Sequence, residues 1–400
     1  MYEALFQPAS IGSLTIPNRF IRAATAETMA ADDGSCTPQL AALYGELASH
    51  NVGLMFTGNM FVHRRGRSAW RQPGIHDDSM IDSLSTLPEA VHQHDGRIFA
   101  QLGHAGSQSR VIEDLLSPDT HPNPLTGRSA ERAADESEIE VAIEAFAQGA
   151  RRAADAGFDG VHIHGANGYL ISSFTSPYSN RRTDGWGGDQ TGRTRFACEV
   201  AAAVRRSVPP GFPVTMKLGF WDAPAGGVSL DEAVDRAVEI AGLGVDAIEV
   251  SSNLIAGAED SARRLVGVGQ GRALADLILE RVRPDESPEA YFLPYARALK
   301  KKAPEVPVIL VGGIRSLPVM SSLVSSREVD FLSMARPFIR EPDLVEKLKA
   351  GRSVSAACTS CNLCYERGRD YSLRCWRKPR RYLLLNAGLR IKEALALHRR

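Results

Sequence analysis

Short apolar or β-branched runs alternate along this chain with longer stretches whose apolar residues recur at helical spacing. The runs Phe20–Ala23, Leu54–Gly58, Ile98–Leu102, Val161–Ile163, Val214–Leu218, Ala247–Ser251, Val308–Val311 and Phe331–Met334 read as strands. The stretches Pro38–His50, Ile81–His94, Ile139–Ala156, Arg193–Val208, Leu230–Gly242, Pro288–Lys302, Pro318–Ser325 and Pro342–Ala350 read as helices. Several of these open on a Ser, Thr or Asp cap or an early Pro, as Ser229 does before Leu230, with Glu232 three residues on. Strands that alternate with helices predict βα units and a parallel sheet. Eight such units are the count of the closed (β/α)₈ or TIM barrel. A doubly wound sheet alternates too, but it needs a dinucleotide fingerprint. The nearest match, Gly267-Val268-Gly269-Gln270-Gly271, lacks the third Gly at the required spacing and does not follow a strand directly. It reads as loop glycine.

Two insertions interrupt the rhythm. Gly103–Glu136, rich in Ser, Pro and Gly, follows the third strand, and Asn253–Ser287 follows the sixth. Both fall on βα loops, the face on which barrels build active sites. After about Ala350 the rhythm stops. The expected division is a barrel over residues 1–350 and a cysteine-rich, basic extension over 351–400.

Composition narrows the function classes. With 47 Lys plus Arg against 47 Asp plus Glu, the chain has no net charge to draw nucleic acid or an anionic membrane. The excess of basic residues from Arg367 to Arg400 reads as a solvated tail. Met1–Leu5 has neither a basic n-region nor an apolar h-region, and the apolar stretch Val306–Ile314 is too short to span a bilayer. The expectation is a cytoplasmic protein. Of six cysteines, Cys36 and Cys198 stand alone, while Cys358, Cys361, Cys364 and Cys375 share one short segment. In a reducing compartment that cluster reads as metal-binding rather than disulfide-bonded.

The stretch Val161-His162-Ile163-His164-Gly165-Ala166-Asn167-Gly168-Tyr169-Leu170 carries the strongest chemical signal. It ends the fourth strand, so its polar residues land at the barrel mouth. His164 and Asn167 both offer N–H donors, which polarise a carbonyl and stabilise an enolate when aimed at one oxygen. Tyr169 offers a proton. The bland alternative is a polar loop whose side chains satisfy one another. Two further strand ends suggest a phosphate site: Gly312-Gly313 after the seventh strand and Ala335-Arg336 after the eighth. Glycines let backbone N–H groups approach a phosphate, and an Arg binds it with two donors.

These residues sit within a longer resemblance. The run from His164 to Leu170 continues into Phe174-Thr175-Ser176-Pro177-Tyr178-Ser179-Asn180-Arg181-Arg182-Thr183-Asp184-Gly185-Trp186-Gly187-Gly188 and Arg193-Thr194-Arg195-Phe196. Together with Leu5-Phe6-Gln7-Pro8, Ile16-Pro17-Asn18-Arg19 and Gln101-Leu102-Gly103-His104-Ala105-Gly106, it resembles the Old Yellow Enzyme family of FMN-dependent oxidoreductases over residues 3 to 350. The branch of 2,4-dienoyl-CoA reductase and trimethylamine dehydrogenase is the nearest in pattern. The resemblance implies FMN as cofactor and NAD(P)H as reductant. It implies that His164 and Asn167 hold the substrate oxygen, that Tyr169 protonates the α-carbon, and that Gln101 bonds the pyrimidine edge of the flavin. Lys217 then stands near flavin N1 and O2, where reduced flavin carries negative charge. The first two strand ends, Ala24, Thr25, Ala26 and Gly58, and the phosphate residues Gly312, Gly313, Ala335 and Arg336 complete the expected cofactor site.

The chain departs from the family at two places near the flavin. Ser107 stands where the family usually has Arg. Ala26 stands where it has Thr, Cys or His near flavin O4 and N5, and Thr25 is one residue earlier. After the barrel, Cys358, Cys361, Cys364 and Cys375 resemble the 4Fe–4S ligands of that branch; on spacing alone they suit 4Fe–4S, zinc or no metal. The expectation is a chain without that branch's further flavin and pyridine-nucleotide domains. The resulting expectation is an ene-reductase acting on a small molecule with an activated C=C bond. Two rivals are a dehydrogenase or demethylase passing electrons through an Fe–S centre to a partner protein, and a non-catalytic flavin or metal carrier. Self-association is open in all three.

Overall fold

The structure is a computed structural model that describes residues 2–255, 289–368 and 371–397. Eight parallel strands close on themselves. They are β1 (Phe20–Arg22), β2 (Leu54–Phe56), β3 (Ile98–Gly103), β4 (Gly160–Gly165), β5 (Val214–Gly219), β6 (Ala247–Ser251), β7 (Val308–Val311) and β8 (Phe331–Met334). Each pairs with its sequence neighbour, and β8 pairs with β1, which closes the TIM barrel. A short strand, Met60–Phe61, resumes the pairing of β2 with β3 nearer the mouth.

Helices α1 (Pro38–Ser49), α2 (Ile81–His92), α3 (Glu136–Asp155), α4 (Gln190–Ser207), α5 (Leu230–Gly242), α6 (Leu293–Lys302), α7 (Leu317–Ser325) and α8 (Leu344–Lys349) follow the strands in turn. Their starts obey local chemistry. Thr37, Asp135, Asp189 and Ser229 each accept a bond from an early helix N–H, and Asp135 forms a full capping box with Glu138. That box starts α3 three residues before the apolar periodicity begins at Ile139. The predicted helix from Pro288 begins at Leu293; Pro288, the remainder of the Asn253–Ser287 insertion beyond Ile255, and the Gly267–Gly271 run lie outside the described residues.

The floor of the barrel is built by sequence-local devices. Asp159, Asp246 and Asp330, each just before β4, β6 or β8, accept the first strand N–H of Ile98, Val214 and Val308 at 2.8, 2.8 and 2.7 Å. The hairpin Ala9–Ile11 with Leu14–Ile16 closes this end. Its Ile11 and Ile16 pack against the inward-facing Ile21, Leu54, Phe56, Phe99, Ala247, Ile309 and Phe331. Among the described residues no helix is long and apolar enough to cross a membrane.

Candidate active site

Strand side chains alternate between two faces, so the residues two positions above that apolar floor also point inward. Above Ala247 stands Glu249, above Phe331 stands Ser333, and above Phe99 stands Gln101. Beside them are His162 and His164 of β4 and Thr215 and Lys217 of β5. The ladder places His162 opposite Thr215, His164 opposite Lys217, and Lys217 opposite Glu249. The result is a polar layer on an apolar floor.

Around Glu249 that layer is internally satisfied. Glu249 has no exposed surface, and it accepts from Lys217 Nζ at 2.9 Å and from Ser333 Oγ at 2.6 Å. His162, equally buried, lies 3.2 Å from Glu249 through Nε2 and 2.8 Å from Thr215 through Nδ1, with the Phe56 ring stacked on it at 3.9 Å. Burial pushes the Glu249 carboxyl up, but the Lys217 ammonium and His162 outweigh it and hold the group well below the usual carboxylate range. Burial lowers His162 despite Glu249, which favours the neutral imidazole.

His164 and Tyr169 meet at the mouth, with ring centroids 4.5 Å apart. His164 is buried, and its Nδ1 has no partner. Burial first, then Lys217 and His162, hold its pKa well below the ordinary value, so the ring is a neutral donor. Tyr169 is pushed up by burial, while hydrogen bonds with Ser68 and Asn59 pull the other way. Asn167 behaves differently from its expected part. It takes a left-handed φ of 60°, and Gly168 follows at 82°, so the loop crosses toward β6. There the backbone N–H groups of Asn167 and Gly168 bond Ser252 O and Asn253 O at 3.0 and 2.7 Å. The Asn167 amide donates to Ser252 Oγ at 2.8 Å and Ser251 Oγ at 3.3 Å. His164 is therefore the member of the pair with a buried ring nitrogen left open.

The expected cofactor residues divide. Gln101 is buried with its amide nitrogen unpartnered, and Lys217, two strands away on β5, lies opposite His164. Gly312 and Gly313 take φ of 112° and 73°; a Cβ on Gly312 would lie 2.6 Å from the Tyr291 ring. The first strand ends face two ways. Ala24 is partly buried and Ala26 exposed, but the Thr25 hydroxyl accepts from Arg22 at 2.5 Å behind the strand. It belongs to a buried knot in which Glu27 Oε1 accepts from Arg22 at 2.5 Å and from Tyr44 at 2.8 Å. Gly58 gives its N–H to Tyr44 at 3.0 Å, and a Cβ there would lie 2.0 Å from Glu27 Oε2. The need for glycine at 58 is thus explained by this knot.

Arg336, adjoining Ala335 after β8, reaches the cysteine segment, where its Nη1 donates to Asn362 Oδ1 at 2.6 Å. Arg336, Cys358, Cys361, Cys364 and Cys375 line one cavity. Burial pushes Cys364 up to about 12 and raises Cys358 too, which favours the neutral thiol at those two positions. Among the described residues no three His, Cys, Asp or Glu side chains converge on a single ion.

Sequence reading passed over His162, Glu249, Ser251 and Ser252. The first two carry a plain signal: a charged or titratable residue at an inward position of an otherwise apolar strand, in the case of His162 two residues before His164. Asn59 and Ser68, which face Tyr169, sit on loops and carry none.

The family described as NADH:flavin oxidoreductase / NADH oxidase matches residues 4–355. An NADH oxidase of Thermoanaerobacter brockii is 32% identical over 387 residues, covering 94% of this chain and 56% of the relative. An NADPH dehydrogenase of Geobacillus sp. (strain WCH70) is 31% identical over 371 residues, 92% of this chain and 99% of the relative. A solved 2-naphthoyl-CoA reductase complex superposes with a TM-score of 0.83 at 25% identity, covering 95% of this chain and 57% of that one. The chain thus spans a little over half the length of the first and third of these, and nearly all of the second.

Proposed function

The chain belongs to the NADH:flavin oxidoreductase / NADH oxidase family, and from that premise we propose that it is an FMN-dependent oxidoreductase reducing the activated C=C bond of a small enone, enoyl or dienoyl substrate. NAD(P)H is the reductant in this reading. The observation that carries it is the pairing of an unpartnered His164 Nδ1 with Tyr169 at a mouth also furnished with Lys217 and Gln101. The residues present fit a flavin. The orphaned Gln101 amide offers a donor to an edge rich in acceptors, and Lys217 offers a cation. The glycines at 312 and 313, with Arg336, suit the phosphate.

When bound, FMN supplies two-electron hydride chemistry. The protein's own share is positioning, polarisation and proton delivery. His164, held neutral, donates to the substrate oxygen and draws charge away from the β-carbon. Asn167, braced by Ser251 and Ser252, is a fixed second contact whose amide must trade a serine for the substrate. Tyr169 Oη gives its proton to the α-carbon, and Ser68 and Asn59 hold that hydroxyl in place. The reductase neighbour, which acts on a naphthoyl thioester, supports a carbonyl-activated substrate.

For the cysteine segment we propose a 4Fe–4S centre. Four thiolates around one zinc would stand about 3.8 Å apart, given Zn–S near 2.3 Å. Four cysteines that line a shared cavity suit a cluster whose irons each take one ligand. This supports treating residues 351–400 as a separate unit on the barrel, and it keeps open electron delivery to a partner protein. Six unpaired cysteines favour a reducing compartment, consistent with the cytoplasm. The test is anaerobic. The purified chain should show a flavin band and about four irons per chain; NAD(P)H should bleach the band and an enone restore it. Bleaching only by an amine or alcohol would instead favour the dehydrogenase direction, and inertness to all would favour a carrier.

A further inference from the structure

The polar layer at the mouth holds one carboxylate, Glu249, that the proposed reaction does not use directly. Glu249 has no exposed surface, and Lys217 Nζ lies 2.9 Å from its Oε2. The carboxylate is itself immobilised: Ser333 holds Oε1 at 2.6 Å, and His162 shares Oε2 at 3.2 Å. A pair this deep is a poor source of stability, because burying both charges costs about what their attraction returns. An apolar pair would fill the same space as well. What the ion pair does provide is a cation fixed in place, with a counter-charge one strand away.

We infer that Glu249 is a positioning residue that holds the Lys217 ammonium against the flavin and offsets part of its charge, thereby setting the flavin's reduction potential. The inference rests on the flavin reading above. Reduction adds negative charge on the side that Lys217 faces in that reading. A bare cation there would favour the reduced state strongly; a cation paired with Glu249 favours it less. The balance is local. The titratable groups around the pair are His162 and His164 from β4, with Lys217 itself on β5 and Glu249 on β6. β3 and β8 contribute the neutral Gln101 and Ser333. Burial lowers both imidazoles, so the fixed charges of this layer are one ammonium and one carboxylate.

The experiment is a redox titration of the FMN-loaded chain and its Glu249→Gln variant from pH 6 to 9. At pH 6 the variant should bind reduced over oxidised FMN at least tenfold more selectively than wild type, about 30 mV more positive for a two-electron couple. The excess should shrink as pH rises, because a buried ammonium without its counter-charge gives up a proton readily. Reduction then draws in one further proton. Glu249→Asp, which keeps the charge, should restore most of the wild-type curve. A Gln curve superposed on wild type throughout overturns the inference. Should the Gln variant not fold, the apolar pair Lys217→Met with Glu249→Leu replaces it. Loss of the nearer cation should then make the potential more negative at every pH, and equality with wild type overturns the inference. A wild-type chain that takes up no FMN overturns the flavin reading itself, and this inference falls with it.

Discussion

The barrel interior and the cysteine segment place their chemistry by opposite means. In the barrel, His162, His164, Lys217 and Glu249 sit on regular strands, and the period of two points all four inward in register. In the extension, Cys358, Cys361 and Cys375 lie on loops and Cys364 in the short helix Leu363–Arg367, with left-handed Ser360 and Asn362 between them, over a small core of Leu363 and Trp376. Bonds that tie that segment to the barrel include Thr28 Oγ1 to Gly368 O at 2.6 Å, Leu373 N to Glu27 O at 2.8 Å, Ala357 N to Glu341 Oε2 at 2.5 Å, and Arg336 to Asn362. A strand delivers a side chain by repetition, whereas a loop needs each contact specified. The barrel site should therefore tolerate changes in the extension better than the extension tolerates losing its contacts to the barrel.

Four changes probe that contrast. Tyr169→Phe should have the largest effect, slowing double-bond reduction by about 10²–10⁴-fold while leaving reduction by NAD(P)H intact. Stopped-flow measurement of the two half-reactions separates them, and an unchanged second half-reaction removes Tyr169 from its role. Lys217→Met should cost about 3–5 kcal/mol in urea unfolding, because it strands the buried Glu249 carboxylate. Pairing it with Glu249→Leu should recover most of that loss; failure to recover would show that the layer needs its charges for stability.

Acidification should weaken the barrel through its histidines. Burial is the main cause that lowers His76 to about 4 and His104 to about 3, and it also lowers His162 and His164. The unfolded chain binds these protons near the ordinary value of 6.5, while the native protein refuses them. Stability is therefore complete above pH 6.5 and is lost progressively from there down to the native values. Denaturation midpoints at pH 7, 6 and 5 check the direction, and a flat series contradicts it. The smallest effect should come from Cys361→Ser. Iron content should fall while the flavin-loaded barrel keeps its unfolding free energy within about 0.5 kcal/mol. A large loss would show that the extension supports the barrel.

Much of the active site is legible in the sequence because strand ends are. The apolar pattern puts His164 at a strand end, while Gln101 and Lys217 were singled out by the family resemblance. Thr25 and Gly58 were harder. Both stand at strand ends, yet Thr25 and the space over Gly58 are claimed by a knot that Arg22 of β1 and the nearby Glu27 form with Tyr44 of α1. No local pattern foretells which side of a strand end a long charged side chain will claim. Asn167 illustrates the same limit, since its partners Ser251 and Ser252 lie more than eighty residues away.

What the chain's own order determined is the barrel. Eight apolar runs, their caps and the aspartates before alternate strands dictate which residues are strands and which side chains can face inward, because those rules act over a few residues. What only the tertiary structure decided is pairing. That Glu249 meets Lys217, that Tyr169 rests on Ser68 and Asn59, and that Arg336 joins the cysteine cavity depends on closing the sheet and folding loops across its mouth. Electrostatic partners are chosen by distance in space, and only the closed barrel sets those distances.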